Sequence, residues 1–221
     1  MLVRDRMSRP PITIRDKVGV DEALRLMHSE NVRRLPVVDK RGNMVGIVSE
    51  MDLLKVSPSP ATSLSIYEIP YLLAKVKMKD VMTRDVITVT EDTPLEEAAR
   101  IMADNKVGGM PVMRDGKLVG MITETDLFKT FLEMLGGREE GLRISMFVPH
   151  QPGILGRITG KISEMGVNIT ALSTIGGEDP GTYLVTIRLD EGADMDALVG
   201  AMEELGFEIE DSRFCRLPAC A

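Results

Sequence analysis

The sequence predicts a mixed α/β (α+β) chain in two parts: a duplicated α/β unit, then a ferredoxin-like βαββαβ domain. Two observations support this. The stretch Val45–Lys55 returns in matching form as Val119–Lys129, and beyond residue 141 the apolar pattern reads strand, helix, strand, strand, helix, strand. A chain of 221 residues can form one large or two ordinary domains, and its 43% hydrophobic and 28% charged residues are typical of a folded protein.

The internal repeat extends over residues 7–129. Matching residues lie 75 positions apart until a one-residue deletion in a turn, and 74 apart after it. Each repeat is predicted to run strand, helix, strand, turn, strand, helix, and it is too small to bury both faces of its sheet alone. We therefore expect the two repeats to pack on each other. The matching pairs are Met7 and Met82, Ile12-Thr13 and Ile87-Thr88, Leu35-Pro36-Val37 and Met110-Pro111-Val112, and Asp52 and Asp126.

The first helix of each repeat is predicted from apolar residues at helical spacing, and the two copies differ where this helix begins. Thr93-Pro94-Leu95-Glu96 predicts a capping box with proline at the first helical position. The first repeat has Val18-Gly19-Val20-Asp21 at the same place and lacks the cap, so we expect a looser helix entry there.

A hydroxyl residue precedes a carboxylate by three positions at the end of both repeats, as Ser49 with Asp52 and as Thr123 with Asp126. This spacing is an ordinary helix cap. It also suits a nucleoside phosphate, because a helix N-terminus favours a phosphate and the carboxylate could accept hydrogen bonds from a ribose diol. Both interpretations remain open from the residues alone.

The C-terminal part begins after Gly136-Gly137 and a charged segment. Its strands are predicted at 142–148, 167–174, 182–189 and 207–214. Two amphipathic helices lie between them, one with an apolar face at Leu155, Ile158, Ile162 and Met165, and one at Met195, Leu198, Val199, Met202 and Leu205.

The predicted domain limits follow from these elements. They are repeat 1 at 1–56, a linker with an inserted helix at 57–78, repeat 2 at 79–135, a hinge at 136–141, the C-terminal domain at 142–215 and a tail at 216–221. The linker begins with Val56–Ser63, which is rich in proline and serine, and the inserted helix is predicted over Leu64–Lys77 with a kink or break near Ile69.

Composition and motifs narrow the function classes. No apolar run is long enough for a membrane span and the N-terminus lacks a signal-peptide core, so we expect a cytoplasmic protein. The net charge of −7 disfavours nucleic-acid binding, because a negative protein repels the phosphate backbone. Cys215 and Cys220 supply neither a disulfide framework nor a metal site. No nucleophile, phosphate-loop or metal motif is present, so we expect no catalytic residues, no catalytic cofactor and no enzyme activity.

Residues 7–55 and 82–129 resemble a tandem pair of CBS domains, a Bateman module. The resemblance rests on Leu-Pro-Val-Val at 35–38, Met-Pro-Val at 110–112 and the two Gly-containing Ser/Thr-x-x-Asp endings. Residues 142–214 resemble an ACT domain, on the basis of Gln151–Leu155 and Gly166–Ile169. The order CBS, CBS, ACT resembles the bacterial acetoin-utilisation B-type family.

The CBS resemblance implies adenine-nucleotide sensing, with AMP, ADP, ATP or NAD as the regulatory ligand, in clefts between the repeats. It implies that Asp52 and Asp126 hold ribose hydroxyls and that Ser49 and Thr123 lie by the phosphates. We expect unequal sites, with Arg33-Arg34 meeting phosphate charge in the first and Gly108-Gly109 at that place in the second. The implied adenine walls are Ile12, Thr13, Ile87 and Thr88, with the backbone around Val32, Arg33 and Pro36 and around Val107, Gly108 and Pro111.

The ACT resemblance implies a small-molecule effector site, often for an amino acid, at the turn before the first helix of that domain. The matching positions are His150, Gly153 and Asn168. The other interpretation is an ACT domain that only dimerises.

The sequence thus predicts a non-enzymatic regulator that senses adenine nucleotides and passes the signal to its ACT domain or to a metabolic enzyme, in acetoin or related carbon metabolism. We expect a homodimer, with no membrane partner. The alternative is a scaffold or oligomerisation protein with vestigial ligand sites. A transcription regulator is disfavoured, because no helix-turn-helix signal is present.

Overall fold

The computed structural model describes residues 1–57, 75–177 and 179–216. The chain divides into two compact units, Met1–Phe128 and Lys129–Ala221, and each is described by itself. Most of the predicted inserted helix, over Leu64–Lys77, and all of the predicted tail beyond residue 216 lie outside the described residues.

The first repeat is a three-stranded sheet with two helices. Its elements are β1 (Ile14–Arg15), α1 (Val20–Ser29), β2 (Arg34–Val38), β3 (Met44–Ser49) and α2 (Glu50–Lys55). β1 pairs parallel with β2, and β2 pairs antiparallel with β3. α1 turns a buried apolar face of Val20, Ala23 and Met27 towards the core. As predicted, no side chain caps the start of this helix at Gly19.

The second repeat has the same topology. After the short helix α3 (Met78–Val81) come β4 (Val89–Thr90), α4 (Leu95–Asn105), β5 (Gly109–Arg114), β6 (Lys117–Thr123) and α5 (Glu124–Met134). The register shift between β2 and β3 falls at Val37/Val38, and the shift between β5 and β6 falls at Val112/Met113, the equivalent position. The duplication therefore extends to irregular details of strand pairing.

The predicted capping box at Thr93 is wrong. α4 begins at Leu95 after Pro94, and no side chain accepts a hydrogen bond from its first turn. The Thr93 hydroxyl instead accepts from the Thr90 N–H at 3.1 Å and lies 3.0 Å from the Thr90 hydroxyl. A local turn competes for the hydroxyl, because threonine bonds to nearby backbone as readily as to a helix end.

The two repeats exchange the segments that precede them. Val3 and Met7, at the N-terminus, are buried in the core of the second repeat. Met78, from the segment before the second repeat, is fully buried in the core of the first. Short antiparallel bridges join Ser8 to Met121 and, at the equivalent place, Thr83 to Ile47. The repeats therefore pack on each other through an exchange of chain.

The second unit has the predicted ferredoxin-like order. Its elements are β7 (Gly141–Pro149), α6 (Ile154–Glu164), β8 (Ile169–Gly176), β9 (Thr182–Leu189), α7 (Met195–Glu204) and β10 (Glu208–Cys215), and the antiparallel sheet has the order β10-β7-β9-β8. One apolar core joins the sheet to both helices; its fully buried members include Ile144, Met146, Ile158, Ile162, Ile187, Leu189, Leu198 and Met202.

None of the described helices combines the length and the apolar character that crossing a bilayer requires.

Candidate functional site

A cavity of about 250 Å³ lies beside the end of β3 in the first unit. It contains the hydroxyl residue and the carboxylate that the sequence singles out in repeat 1. Charged, polar and apolar side chains from both repeats share its surface. The lining residues are Arg34, Ile47, Ser49, Asp52, Thr83, Asp85, Val86, Ile87, Lys106, Val107, Gly108 and Gly109.

Ser49 and Asp52 form a reciprocal cap at the start of α2. Oδ2 of Asp52 accepts from the Ser49 N–H at 2.9 Å and from the Ser49 hydroxyl at 2.6 Å, while the hydroxyl oxygen accepts from the Asp52 N–H at 3.3 Å. The cap interpretation is therefore correct for this pair. It does not use the whole carboxylate: within the described residues, Oδ1 of Asp52 accepts no hydrogen bond. One oxygen thus orders the helix and the other remains available in the cavity.

The second repeat forms the same cap with threonine in place of serine. Oδ2 of Asp126 accepts from the Thr123 N–H at 2.9 Å and from its hydroxyl at 2.7 Å, and the hydroxyl accepts from the Asp126 N–H at 3.4 Å. The corresponding distances agree to within 0.1 Å between the repeats. Two helix caps of the same local construction are therefore present in the described part of the chain.

The Asp52 cavity is assembled from both repeats because the chain crosses between them. Thr83 exchanges two backbone hydrogen bonds with Ile47 on β3, each of 2.9 Å. This bridge places the following residues, Val86 and Ile87, beside the Ser49–Asp52 cap of the other repeat. The segment before β5, at 106–109, completes the cavity.

This assembly corrects the expected distribution of charge. The sequence suggested Arg33-Arg34 for one site and Gly108-Gly109 for the other. In the structure Arg34 lines the Asp52 cavity together with Gly108 and Gly109. Arg34 and Gly109 are equivalent in the repeat but lie in one cleft, because this cleft takes a wall from each repeat.

The Arg34 side chain crosses the surface left open by the two glycines. A Cβ atom on Gly108 would collide with Nη2 of Arg34, would lie 3.0 Å from its Cζ, and would lie 2.7 Å from Oε2 of Glu124. Gly108 could not carry a side chain without displacing this guanidinium, whereas a Cβ atom on Gly109 would lie 3.5 Å from Cδ of Arg34, an ordinary contact. Within the described part of the chain, the Arg34 guanidinium makes no hydrogen bond and no ion pair.

The predicted site residues divide into those that the cavity includes and those that it does not. Ser49, Asp52, Ile87, Val107 and Gly108 line it. Thr88 does not, and the two prolines lie inside strand pairs, Pro36 opposite Ile47 and Pro111 opposite Met121.

The remaining predicted residues, Ile12, Thr13, Val32, Arg33, Thr123 and Asp126, do not line this cavity. The bridge between Ser8 and Met121 brings the chain before Ile12 and Thr13 alongside β6, as the Thr83 bridge does for Ile87. By the repeat, Val32 and Arg33 correspond to Val107 and Gly108 of the Asp52 cavity. Residues that sequence reasoning missed are Ile47, Thr83, Asp85, Val86 and Lys106; the strand crossover that recruits them leaves no periodic signal.

A second cavity, of about 610 Å³, lies in the second unit at the start of α6. His150 and Gly153, both predicted effector positions, line it. The His150 ring contacts the Tyr183 ring with centroids 4.4 Å apart. Gly153 has φ +87° and precedes α6, whose start has no side-chain cap. The lining residues are Val148, Pro149, His150, Gln151, Pro152, Gly153, Ile154, Leu155, Gly156, Thr174, Tyr183 and Val185.

Asn168 does not join His150 and Gly153. It precedes β8, and its carbonyl accepts a hydrogen bond from the Asp190 N–H at 3.2 Å. Thr174, which does line the cavity, lies six residues further along the same strand, a separation of roughly 20 Å. The predicted grouping of Asn168 with the other two positions is therefore wrong within one copy of the chain, because the sheet geometry separates them.

The carboxylates with perturbed pKa values lie outside both cavities. The backbone N–H of Asn43 lowers the pKa of Asp39 in the β2–β3 turn, and hydrogen bonds from Arg114 and Arg100 lower those of Glu91 and Glu97. In the second unit, Arg213 and then Arg143 lower the pKa of Asp211. These groups close turns and surface ion pairs, so their role is structural.

Comparison with known families agrees with this architecture. The family model described as CBS domain matches residues 3–59 and 78–133, and the model described as ACT domain matches residues 142–207. The chain belongs to the CBS-domain family and carries an ACT domain at its C-terminal side. The tandem CBS arrangement predicted from the repeat is confirmed.

Related proteins match the CBS pair. A CBS domain-containing protein of Dictyostelium discoideum is 33% identical over 136 residues, which is 61% of this chain and 94% of that protein. The L-aspartate semialdehyde sulfurtransferase of Methanocaldococcus jannaschii is 32% identical over 131 residues, but the match spans 59% of this chain and only 23% of that enzyme.

Two solved structures have the same CBS fold. The CBS domain pair of protein MJ0100, in complex with 5′-methylthioadenosine and S-adenosyl-L-methionine, is 31% identical with a TM-score of 0.50, and the match covers 63% of this chain and 98% of that one. A Vibrio cholerae protein described as an acetoin utilization protein, AcuB, is 31% identical with a TM-score of 0.52, covering 63% and 96%.

Proposed function

We propose that this chain is a non-enzymatic regulator that binds adenine nucleotides in the clefts between its CBS repeats. The proposal rests mainly on the Asp52 cavity. It offers a carboxylate oxygen free of the cap for a ribose hydroxyl, apolar surface at Val86, Ile87 and Val107 for a base, and the cations Arg34 and Lys106 for phosphate. The adenosine ligands of the MJ0100 CBS pair support the ligand class.

The interactions that this cavity offers are strong enough for micromolar binding of a nucleotide. A hydrogen bond to a charged group contributes roughly 1.5–3 kcal/mol, and a micromolar site needs about 8 kcal/mol. Asp52 with ribose and Arg34 with phosphate would supply a large part of this, and burial of the base would add the rest. The helix N-terminus contributes less than the sequence suggested, because α2 is only a six-residue helix.

Calorimetric titration tests the proposal directly. We expect AMP, ADP, ATP or NAD to bind the full chain at micromolar concentration, with binding lost at one site in Asp52→Ala and at the other in Asp126→Ala. Asp104→Ala is the matched control, because Asp104 lies on the exposed side of α4 in a pair with Arg100. No heat with any nucleotide from the folded protein would favour the scaffold interpretation instead.

The same proposal assigns an effector role to the ACT domain. Nucleotide binding would be coupled, through the hinge at 136–141, to the ACT domain or to a metabolic enzyme in acetoin or related carbon metabolism. An amino acid or similar small molecule would bind the cavity at His150 and Gly153. Solution scattering that is identical with and without saturating nucleotide would contradict coupling between the domains.

The regulator is proposed to act as a homodimer. Phe128, Phe131 and Met134 on α5 are 68%, 58% and 64% exposed, which is unusual for large apolar side chains repeating along one helix. A second copy of the chain would cover them. Light scattering should give a dimer mass, and Phe131→Glu should shift it towards the monomer. A monomer mass for the unchanged protein would contradict this part of the proposal.

A further inference from the structure

Arg34 reaches from the cap of the first repeat towards that of the second. It is the first residue of β2 and lies opposite Ser49 in the strand register. Its side chain then runs over Gly108 and Gly109 of the other repeat and ends near the Glu124 carboxylate. Glu124 directly follows Thr123, the hydroxyl residue of the second cap, and its N–H donates to the Gly108 carbonyl at 3.3 Å. Arg34 therefore extends from a position opposite Ser49, in the first cap, to the neighbour of Thr123 in the second.

The repeat explains why Arg34 belongs to both clefts. Its equivalent in the second repeat is Gly109, and both members of this pair line the Asp52 cavity. The approximate symmetry of the repeats exchanges positions 34 and 109, and it therefore predicts that the same two positions border an equivalent cleft at Asp126. Because one member is glycine, only one arginine serves the shared position. Lys106 lines the Asp52 cavity, and its equivalent is Asn31.

We propose that Arg34 is shared between the clefts and couples them. A nucleotide phosphate in one cleft draws the guanidinium to itself, and the other cleft then lacks it. A second phosphorylated nucleotide consequently binds more weakly than it would alone, whereas ligands without a phosphate bind the two clefts independently. This inference rests on the proposed nucleotide function and specifies how the two sites are regulated.

The glycine at position 108 gives a mild way to disturb this arrangement. Its backbone is not in the left-handed region, and the first atom that a new Cβ would meet is the mobile end of Arg34. Gly108→Ala should therefore displace the guanidinium without opening the core. Arg34→Met removes the charge and keeps most of the aliphatic stem.

The test compares each cleft alone with both together. Calorimetry on the full chain gives the AMP association constant of the Asp52 cleft in Asp126→Ala, and that of the Asp126 cleft in Asp52→Ala. We expect the product of these two constants to exceed the product of the two stepwise constants of the unchanged protein by about tenfold, the effect of one charge-assisted hydrogen bond. Adenosine, which has no phosphate, should give equal products.

The Arg34 variants identify the residue responsible. Arg34→Met should abolish the difference between the AMP products and should weaken AMP about tenfold in each single-cleft variant, with adenosine unchanged. Gly108→Ala should reduce the coupling in the same direction. Arg25→Met, on the exposed face of α1 and paired with Asp21, is the control and should leave AMP binding unchanged.

Three results would overturn the proposal. Equal AMP products in the unchanged protein would show that the clefts are independent. Weakening of AMP by Arg34→Met in one cleft alone would show that Arg34 is not shared. Coupling that is as strong with adenosine as with AMP would show that the phosphate does not cause the coupling. Failure of the proposed function itself looks different, because then neither AMP nor adenosine binds the unchanged protein.

Discussion

The two CBS repeats share nearly all of their backbone design and differ where a ligand's charge would be met. Their caps, at Ser49 and Thr123, agree to within 0.1 Å, and their strand-register shifts fall at equivalent positions. Yet β2 begins with an arginine where β5 begins with a glycine. Because the Asp52 cavity takes one wall from each repeat, the arginine and the glycine line the same cleft and not two different ones. We propose that this single cation serves both clefts.

Disturbing the exchanged segments should have the largest effect on the two repeats. Met78 lies in the segment that precedes the second repeat but is fully buried in the core of the first. Met78→Ala should cost about 2–5 kcal/mol of unfolding free energy, because it leaves a cavity there. Hydrogen exchange should show loss of protection in β2 and β3 before β5 and β6. Uniform loss in both repeats, or loss in β5 and β6 first, would contradict the exchange.

The second test removes one cap at a time. Ser49→Ala and Thr123→Ala each delete the hydroxyl that accepts the helix N–H and donates to the carboxylate. Each should cost about 0.5–2 kcal/mol of unfolding free energy, and the two costs should be similar because the caps have the same geometry. Urea denaturation of both variants measures this. If one variant lost stability within this range and the other fell outside it, the two caps would be less alike than their hydrogen-bond distances indicate.

The smallest effect concerns a region without a counterpart in the repeats. Asp211 on β10 accepts hydrogen bonds from Arg213 at 2.8 Å and from Arg143 at 2.5 Å, and these lower its pKa. A lowered folded pKa contributes stability that is present above the unfolded value and is lost as pH falls through the folded value, so the loss occurs below about pH 4.

Asp211→Asn should therefore reduce stability at pH 7 by at most about 1 kcal/mol, as for other partly exposed ion pairs. It should also flatten the fall in the urea midpoint as the pH is lowered from 5 to 3. Asp196→Asn, in the first turn of α7, provides a comparison in the same unit. An unchanged acid slope in Asp211→Asn would show that this carboxylate does not titrate with folding.

Much of this architecture is readable from the sequence because local signals and the repeat agree. Periodicity predicts the strands and helices, and the offset between Asp52 and Asp126 predicts two equivalent caps. The capping interpretation and the ligand interpretation of Ser49 and Asp52 prove compatible, because the cap engages only one carboxylate oxygen. No sequence pattern could reveal that division.

The errors arise where distant segments meet. The bridge between Ile47 and Thr83 is a contact between repeats, and it decides that Arg34 and Gly108 share a cleft. Thr93 fails as a cap because Thr90 offers its hydroxyl a nearer partner. Asn168 is separated from His150 by the length of β8, which a linear motif does not express.

We propose that a nucleotide binds between walls contributed by both repeats. Hydrogen exchange of Asp126→Ala with and without saturating AMP tests it most directly, because the Asp52 cleft is then the one occupied. We expect protection of two separate segments together, Ile47–Asp52 in the first repeat and 86–109 in the second. Protection confined to one repeat, or no change on addition of AMP, would contradict it.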